Sequence, residues 1–134
     1  MKRKTILFTV ITLLLLLGGA GCEREKEKGQ LGTVFVSVVE MPSQVKVGRL
    51  VPIHVVAYAN NGCWSNLKIN LTKCQESYYQ ITAMGFYSGD LTCPDILIGT
   101  DTTFHLIFHE AGECYFQSNR SPFPIKYDTI MVSE

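Results

Sequence analysis

The sequence predicts an all-β fold, a β-sandwich of seven to eight short antiparallel strands in a single domain. Three observations lead to this prediction. Apolar and polar residues alternate with a period of two through most of the chain after residue 32. Turn signals rich in Gly, Pro, Asn and Asp separate these runs at intervals of roughly ten residues. No part of this region shows a sustained helical period.

Four strands are predicted in the first half of the domain. Residues 33–41 are rich in Val and Phe, and Pro42 breaks this run. Val45 and Val47 alternate with polar residues until Gly48, which predicts a second, shorter strand. Stronger alternation then predicts strands at 51–59 and 67–72, with a turn signal at 60–62 between them.

The second half is predicted to contain four further strands separated by turns. Residues 91–100 are irregular because they include Pro94 and Gly99. A Pro-rich loop at 122–124 precedes the last strand. The predicted strands are residues 78–87, 102–109, 113–118 and 125–133.

The 134 residues carry a formal net charge of zero, which conceals an asymmetry. Residues 1–28 hold six Lys/Arg and three Glu, a net charge of +3. Residues 29–134 hold the other six Lys/Arg and nine Asp/Glu, a net charge of −3. The domain therefore lacks the basic patch that a nucleic-acid partner requires, and we expect no such partner.

The N-terminus has the pattern of an export signal. Basic residues at 2–4 precede an apolar run at 6–17, and small residues at 18–21 lead to Cys22. Twelve helical residues rise ~18 Å, against a hydrocarbon core of ~30 Å, so the run is too short to span a bilayer. The segment resembles a bacterial lipoprotein signal, in which the cysteine is acylated. Gly19 stands where that pattern favours Leu, and an uncleaved anchor or ordinary secretion are the alternatives.

This interpretation divides the chain into three parts. Residues 1–21 are the predicted lipoprotein signal peptide, and residues 22–31 are the lipidated Cys22 and a tether of alternating charge. Residues 32–134 are the predicted β-sandwich domain. The predicted location is the cell envelope, anchored by lipid to the outer membrane on its periplasmic or external side.

The five cysteines predict two disulfides besides the lipidated Cys22. Zinc is disfavoured because its sites use closer cysteine pairs than the spacing here provides. If consecutive strands alternate direction, Cys63 and Cys93 lie at one pole of the fold and Cys74 and Cys114 at the other. This favours Cys63–Cys93 and Cys74–Cys114 over the two other pairings.

Two stretches carry a further resemblance. Residues 51–63 and 108–116 resemble small Bacteroidota lipoproteins with an immunoglobulin-like domain and no assigned activity. Cys114 occupies an aromatic position of that pattern, with Tyr115 after it. The resemblance implies an immunoglobulin-like β-sandwich in the cell envelope.

Trp64 and Phe123 are the candidate binding residues. Each lies in a polar or Pro-rich loop, and strand alternation places both loops at one pole. Clustered loops at one end of such a sandwich often bind ligands, and a rigid aromatic ring suits a glycan or a protein partner. The alternative for Trp64 is a core cap that packs on the disulfide.

The sequence contains no recognisable catalytic constellation, because no serine lies in a Gly-x-Ser-x-Gly elbow and the cysteines are expected to be oxidised. We therefore predict no enzyme activity, no cofactor and no metal. A metal site on His54, His105 and His109 is the weaker alternative, because alternation puts all three on one outer face. The predicted function is a non-enzymatic, membrane-anchored module that binds a ligand or protein; the alternative is a structural or accessory subunit of an envelope complex.

Overall fold

The computed structural model describes residues 29–119 and 125–134. In these ranges the chain forms eight strands in one mixed, strongly curled half-barrel sheet. The all-β prediction is therefore confirmed. The strands are β1 (Gln30–Glu40), β2 (Gln44–Lys46), β3 (Leu50–Ala59), β4 (Trp64–Gln75), β5 (Tyr78–Tyr87), β6 (Ile98–Ile107), β7 (Gly112–Ser118) and β8 (Lys126–Ser133).

The sheet is mixed, whereas the sequence predicted antiparallel strands. Its order is β2-β8-β7-β5-β1-β3-β6, and β4 pairs with the other edge of β5. The β5–β7 and β2–β8 pairs are parallel. From β3 onward consecutive strands do alternate in direction. β6 crosses to the far edge of the sheet, so β7 pairs with β5 instead. Strands that are two apart in an alternating series run in the same direction, and the β5–β7 pair is therefore parallel.

β4 begins at Trp64 rather than at the predicted residue 67, and two further strands begin earlier than the sequence suggested. β1 begins at Gln30, before the predicted domain boundary at residue 32, because residues 30–34 pair with residues 83–87 of β5. β6 begins at Ile98, because residues 98–101 pair with the end of β3. Period-two alternation is weak in both places, so only the pairing partners reveal the strand.

The core lies on the concave face of the curled sheet. β1 holds the curl together, because its first half pairs with β5 and its second half pairs with β3. The rings of Tyr79 and Phe116, which are in register on β5 and β7, stack on this face with centroids 4.9 Å apart. The largest fully buried apolar side chains come from β1, β3, β5, β7 and β8: Val34, Val36, Val51, Ile53, Val55, Ile81, Phe116 and Ile130.

Register defines two poles of the half-barrel. Gln30 of β1, Trp64 of β4 and Tyr87 of β5 are in register at one end, next to the disulfide between Cys63 and Cys93. We call this end the disulfide pole. At the opposite pole β5 and β7 begin and β8 ends.

The predicted Cys63–Cys93 disulfide is present, with Cα atoms 5.2 Å apart. The predicted Cys74–Cys114 disulfide is not, and both residues are free thiols. Cys114 belongs to the buried core cluster, whereas Cys74 is exposed with its sulfur 4.0 Å from the Gln80 amide oxygen. The two thiols lie on different faces of the sheet, and β5 runs between their strands. Assigning each cysteine to a pole of the fold did not determine the face of the sheet on which it lies.

Candidate functional site

A β-bulge in β4 sets the orientation of Trp64. Between Ser65 and Lys68 the register with β5 shifts by one residue, and Asn66 has a φ of 51°. An extra residue reverses the face to which all preceding side chains point. Trp64 therefore turns to the concave side of the sheet, although strict alternation from Ile69 would point it outward.

Trp64 packs over two glycines that face each other on β1 and β5. A Cβ atom on Gly32 would lie 2.9 Å from Cη2 of the indole, and one on Gly85 would lie 3.2 Å from Cε3. Only glycine leaves room for the ring at this close approach. Trp64 is half-buried and packs against the core cluster. The alternative interpretation, in which Trp64 caps the core, therefore applies to the side of the ring that packs on the core cluster.

Tyr87 connects the indole to the disulfide. Its ring centroid lies 5.2 Å from that of Trp64, with the planes inclined by 49°. Its hydroxyl oxygen lies 3.5 Å from the sulfur of Cys93. Trp64 is in register with Tyr87, so the two rings and the disulfide form one contiguous cluster.

A cleft of about 250 Å³ opens beside this aromatic pair. Gln30, Asn60 and Asn61 line it beside the two aromatic residues. The Asn61 side-chain oxygen accepts a hydrogen bond from the Cys63 backbone N–H at 3.0 Å, and its nitrogen donates to Asn60 Oδ1 at 3.2 Å. Aromatic faces beside neutral amides suit a ligand rich in hydroxyl groups, because rings stack on apolar faces while amides donate and accept hydrogen bonds.

The loop that follows β5 is fastened to the same pole. Besides the disulfide, the Gly62 N–H donates to the Pro94 carbonyl at 2.8 Å, and the Ser88 N–H donates to the Cys63 carbonyl at 3.0 Å. A Cβ on Gly62 would lie 3.0 Å from both Pro94 and Ile96. The sequence predicted residues 91–100 to be irregular and did not single out the segment 91–97. Its four apolar residues among seven were the signal that was missed.

Two predicted site residues lie outside the described residues. These are Cys22, the predicted lipid attachment site, and Phe123, the predicted partner of Trp64. The signal peptide at 1–21 is outside them as well. The structure therefore places Trp64 in a cleft with Tyr87 and the amides, and Phe123 remains a prediction.

The opposite pole carries a cleft of about 270 Å³ with a thiol in its wall. Cys114 lines it together with Lys73, Ser77 and His109. Burial raises the pKa of the Cys114 thiol above its ordinary range, and the smaller effects of Ser77 and the Lys73 charge act in the other direction. The thiol is thus kept protonated, which is unfavourable for a nucleophile.

His54 lies between two carboxylates on the convex face. Its Nδ1 is 3.4 Å from Glu40 Oε2, and its Nε2 is 3.3 Å from Asp101 Oδ2. The hydrogen bond with Asp101 raises the pKa of His54, partial desolvation lowers it, and Glu40 raises it further. His105 is opposite Pro52 in the β3–β6 ladder, and His109 follows β6 in the opposite-pole cleft. In the part of the chain that the structure describes, no group of three His, Cys, Asp or Glu side chains is arranged to hold a metal.

The described residues contain no helix with the length and apolar character that a bilayer span requires. Comparison with other proteins adds no assignment. No protein-family model matches the chain, no curated protein matches its sequence, and no solved structure matches its fold.

Proposed function

We propose that this protein is a non-enzymatic, lipid-anchored module of the cell envelope that binds a ligand at its disulfide pole. The anchor proposal is supported by the sequence pattern that ends at Cys22 and by the mixed-charge tether after it. The outer membrane is the proposed location. Mass spectrometry of the protein extracted from membranes tests acylation and cleavage at Cys22 in one measurement.

The ligand proposal depends on a single observation, the cleft in which Trp64 and Tyr87 lie beside three amide side chains. A pyranose ring stacks on such aromatic faces, and its hydroxyl groups match the amides. The disulfide and the hydrogen bonds around it hold the cleft in shape, which lowers the entropic cost of binding. A glycan is therefore the proposed ligand class, and a protein surface is the alternative occupant.

Glycan-array binding of matched variants tests this proposal. Asn60→Ala and Gln30→Ala remove exposed amides from the cleft and leave the core intact. We expect each to weaken binding roughly tenfold without lowering the melting temperature, because one hydrogen bond is worth ~1 kcal/mol or slightly more. Gln44→Ala, an exposed amide on the short strand β2, is the control. Equal glycan binding by all three variants would exclude the cleft as the binding site.

The immunoglobulin-like relationship remains a proposal about the fold. The neighbours β1-β3-β6 and β7-β8 follow the order of strands A-B-E and F-G in immunoglobulin domains, which supports it. One feature departs from it. β5 lies between β4 and β7, whereas strands C and F are direct neighbours in those domains.

An accessory subunit of an envelope complex is the second candidate. It is favoured by an apolar patch on the convex face of β7 and β8, where Tyr115, Tyr127 and Met131 are 40%, 57% and 46% exposed. Such residues are typical of protein interfaces. Chemical cross-linking in intact membranes tests whether this patch contacts another protein. Cross-links that are lost with Tyr127→Ser and retained with Asn60→Ala would favour the accessory function over ligand binding.

A further inference from the structure

The loop between β5 and β6 exposes an unusual amount of apolar surface. Leu91 is fully exposed, and Leu97 and Ile96 are 71% and 54% exposed. We refer to residues 91–97 as the apolar loop. Isolated exposed apolar side chains are ordinary, but three within seven residues at a loop tip indicate a contact surface.

The apolar loop is held in this exposed position. Cys93 ties its middle to Cys63 through the disulfide. The Pro94 carbonyl accepts hydrogen bonds from the N–H groups of Gly62 at 2.8 Å and Ile96 at 2.9 Å. The loop therefore cannot readily fold its leucines inward against the core, and contact with another apolar phase is the remaining way to bury them.

The chain enters the domain at the same pole. Gln30, the first residue of β1, is in register with Tyr87, the last residue of β5, and the apolar loop begins four residues later. Seven peptide units separate Cys22 from Gly29, and a fully extended chain of that length spans at most about 25 Å. Lipid on Cys22 therefore keeps the disulfide pole within about one domain diameter of the bilayer surface.

The charges on the loop do not favour contact with anionic lipid headgroups. Residues 88–97 contain no Lys or Arg, and their charged side chains are Asp90 and Asp95. The Asp90 carboxylate accepts a hydrogen bond from the Ser88 hydroxyl at 2.6 Å. Without basic residues the loop gains nothing from anionic headgroups, so any attraction to a bilayer comes from its apolar side chains.

We propose that the apolar loop is a bilayer-docking surface: Leu91, Ile96 and Leu97 insert into the interfacial region of the membrane that carries the protein's own lipid anchor. This proposal rests on the anchor proposed for Cys22. It orients the domain with the disulfide pole towards the membrane and the opposite pole away from it. The proposed lipid on Cys22 and the loop then act as two membrane attachments, which together hold more firmly than one.

A relocated tryptophan tests this orientation. Trp64 is the only tryptophan, so Trp64→Phe with Leu97→Trp puts the sole indole on the loop. Trp64→Phe with Leu50→Trp is the matched control, because Leu50 is 61% exposed at the opposite pole. The acylated full-length mature proteins are reconstituted in phosphatidylcholine vesicles with and without brominated acyl chains, and their melting temperatures are compared first.

We expect brominated lipid to remove most of the fluorescence of the Leu97→Trp protein and to leave that of the Leu50→Trp protein unchanged. Adding Leu91→Ser should weaken the quenching at position 97, whereas adding Ile107→Ser, at the opposite pole, should not. Quenching should persist in high salt and should not require anionic lipid, because burial of apolar surface drives it.

Other results overturn the proposal. Absence of quenching at position 97, or equal quenching at positions 97 and 50, excludes docking through the loop. A blue-shifted emission at position 97 without quenching identifies a second copy or another protein as the occupant. Mass spectrometry of the same preparation reports acylation separately, so an acylated protein without quenching refutes the docking surface and leaves the anchor intact.

Discussion

Cys74 and Cys114 are both free thiols, but they lie in different surroundings. Cys114 is 5% exposed within the core cluster, whereas Cys74 lies on the convex face beside Gln80. Their strands are separated by β5, so the difference in burial arises from the face on which each residue lies. At the scale of single residues, the face of the sheet determines chemical behaviour more than the residue type does.

We expect the two thiols to react at different rates with iodoacetamide in the native state. Cys74 should be alkylated quickly, and Cys114 slowly, because burial both shields its sulfur and raises its pKa. Mass mapping after timed quenching measures both rates. Cys74→Ser should remove the fast phase alone. A native protein with no alkylation at either position would instead indicate the Cys74–Cys114 disulfide.

His54 should make stability depend on pH. Because the carboxylates of Asp101 and Glu40 raise its pKa above the ordinary value of 6.5, the protonated form is favoured in the folded state. The stabilising contribution is present below pH 6.5 and is lost as the pH rises through the raised pKa. Melting temperatures of the protein and of His54→Gln should therefore differ at pH 5.5 and converge at alkaline pH. A constant difference across this range would contradict the ion pairs.

At the scale of elements, the bulge in β4 determines the shape of the cleft at the disulfide pole. It rotates Trp64 to the concave side, where Gly32 and Gly85 receive the ring and Tyr87 lies against it. A regular strand would expose the indole on the convex face and leave the end of the core open. The cleft therefore depends on the residue inserted between Ser65 and Lys68, whereas the second register shift of this ladder, between Lys73 and Gln75, lies at its other end.

Substitutions at Asn66 test the bulge. Its φ of 51° is the left-handed conformation that Asn and Gly tolerate and β-branched residues do not. We expect Asn66→Gly to be nearly neutral and Asn66→Val to lower the free energy of unfolding by about 1–2 kcal/mol. Urea titration followed by Trp64 emission measures both. Asn70→Val, in the regular part of β4, is the matched control. Equal stability of the two valine variants would show that the bulge does not constrain this residue.

At the scale of the whole molecule, the sheet depends on its last strand. β8 pairs with β7 on one side and with β2 on the other, and it contributes Ile130 and Val132 to the core. The β2 contact joins residues far apart in sequence, because the Val47 N–H donates to the Ser133 carbonyl at 2.9 Å. The half-barrel is therefore complete only when β8 is in place between β2 and β7.

Truncation tests this dependence. A chain ending at residue 125 lacks β8, so β2 and β7 each lose a partner and two core side chains are missing. We expect it to remain unfolded in circular dichroism and in the emission of Trp64. A chain that lacks only Glu134 should fold, because residues 126–133 retain all strand pairs. A folded truncated chain would show that β8 is dispensable.

Sequence patterns could predict the strands, because alternation records which side chains are buried. They could also predict the Cys63–Cys93 pair, because strand direction decides which loops share a pole. They could not predict that β5 and β7 are neighbours, because alternation contains no information about partners. For the same reason Cys114 was assigned to the correct pole but to the wrong environment. The face of Trp64 was hidden because a bulge leaves no apolar signal of its own.

The two ends of the domain lie at opposite poles, and this has a mechanical consequence. β1 begins at the disulfide pole, and β8 ends at the other. A pull between the N-terminus and the C-terminus would act along the strands and across their hydrogen bonds, which lie perpendicular to the strand axes in antiparallel pairs. Such a load shears a whole ladder at once, whereas a pull from one end would open it bond by bond. The strand arrangement therefore resists tension that is applied between the two ends of the domain.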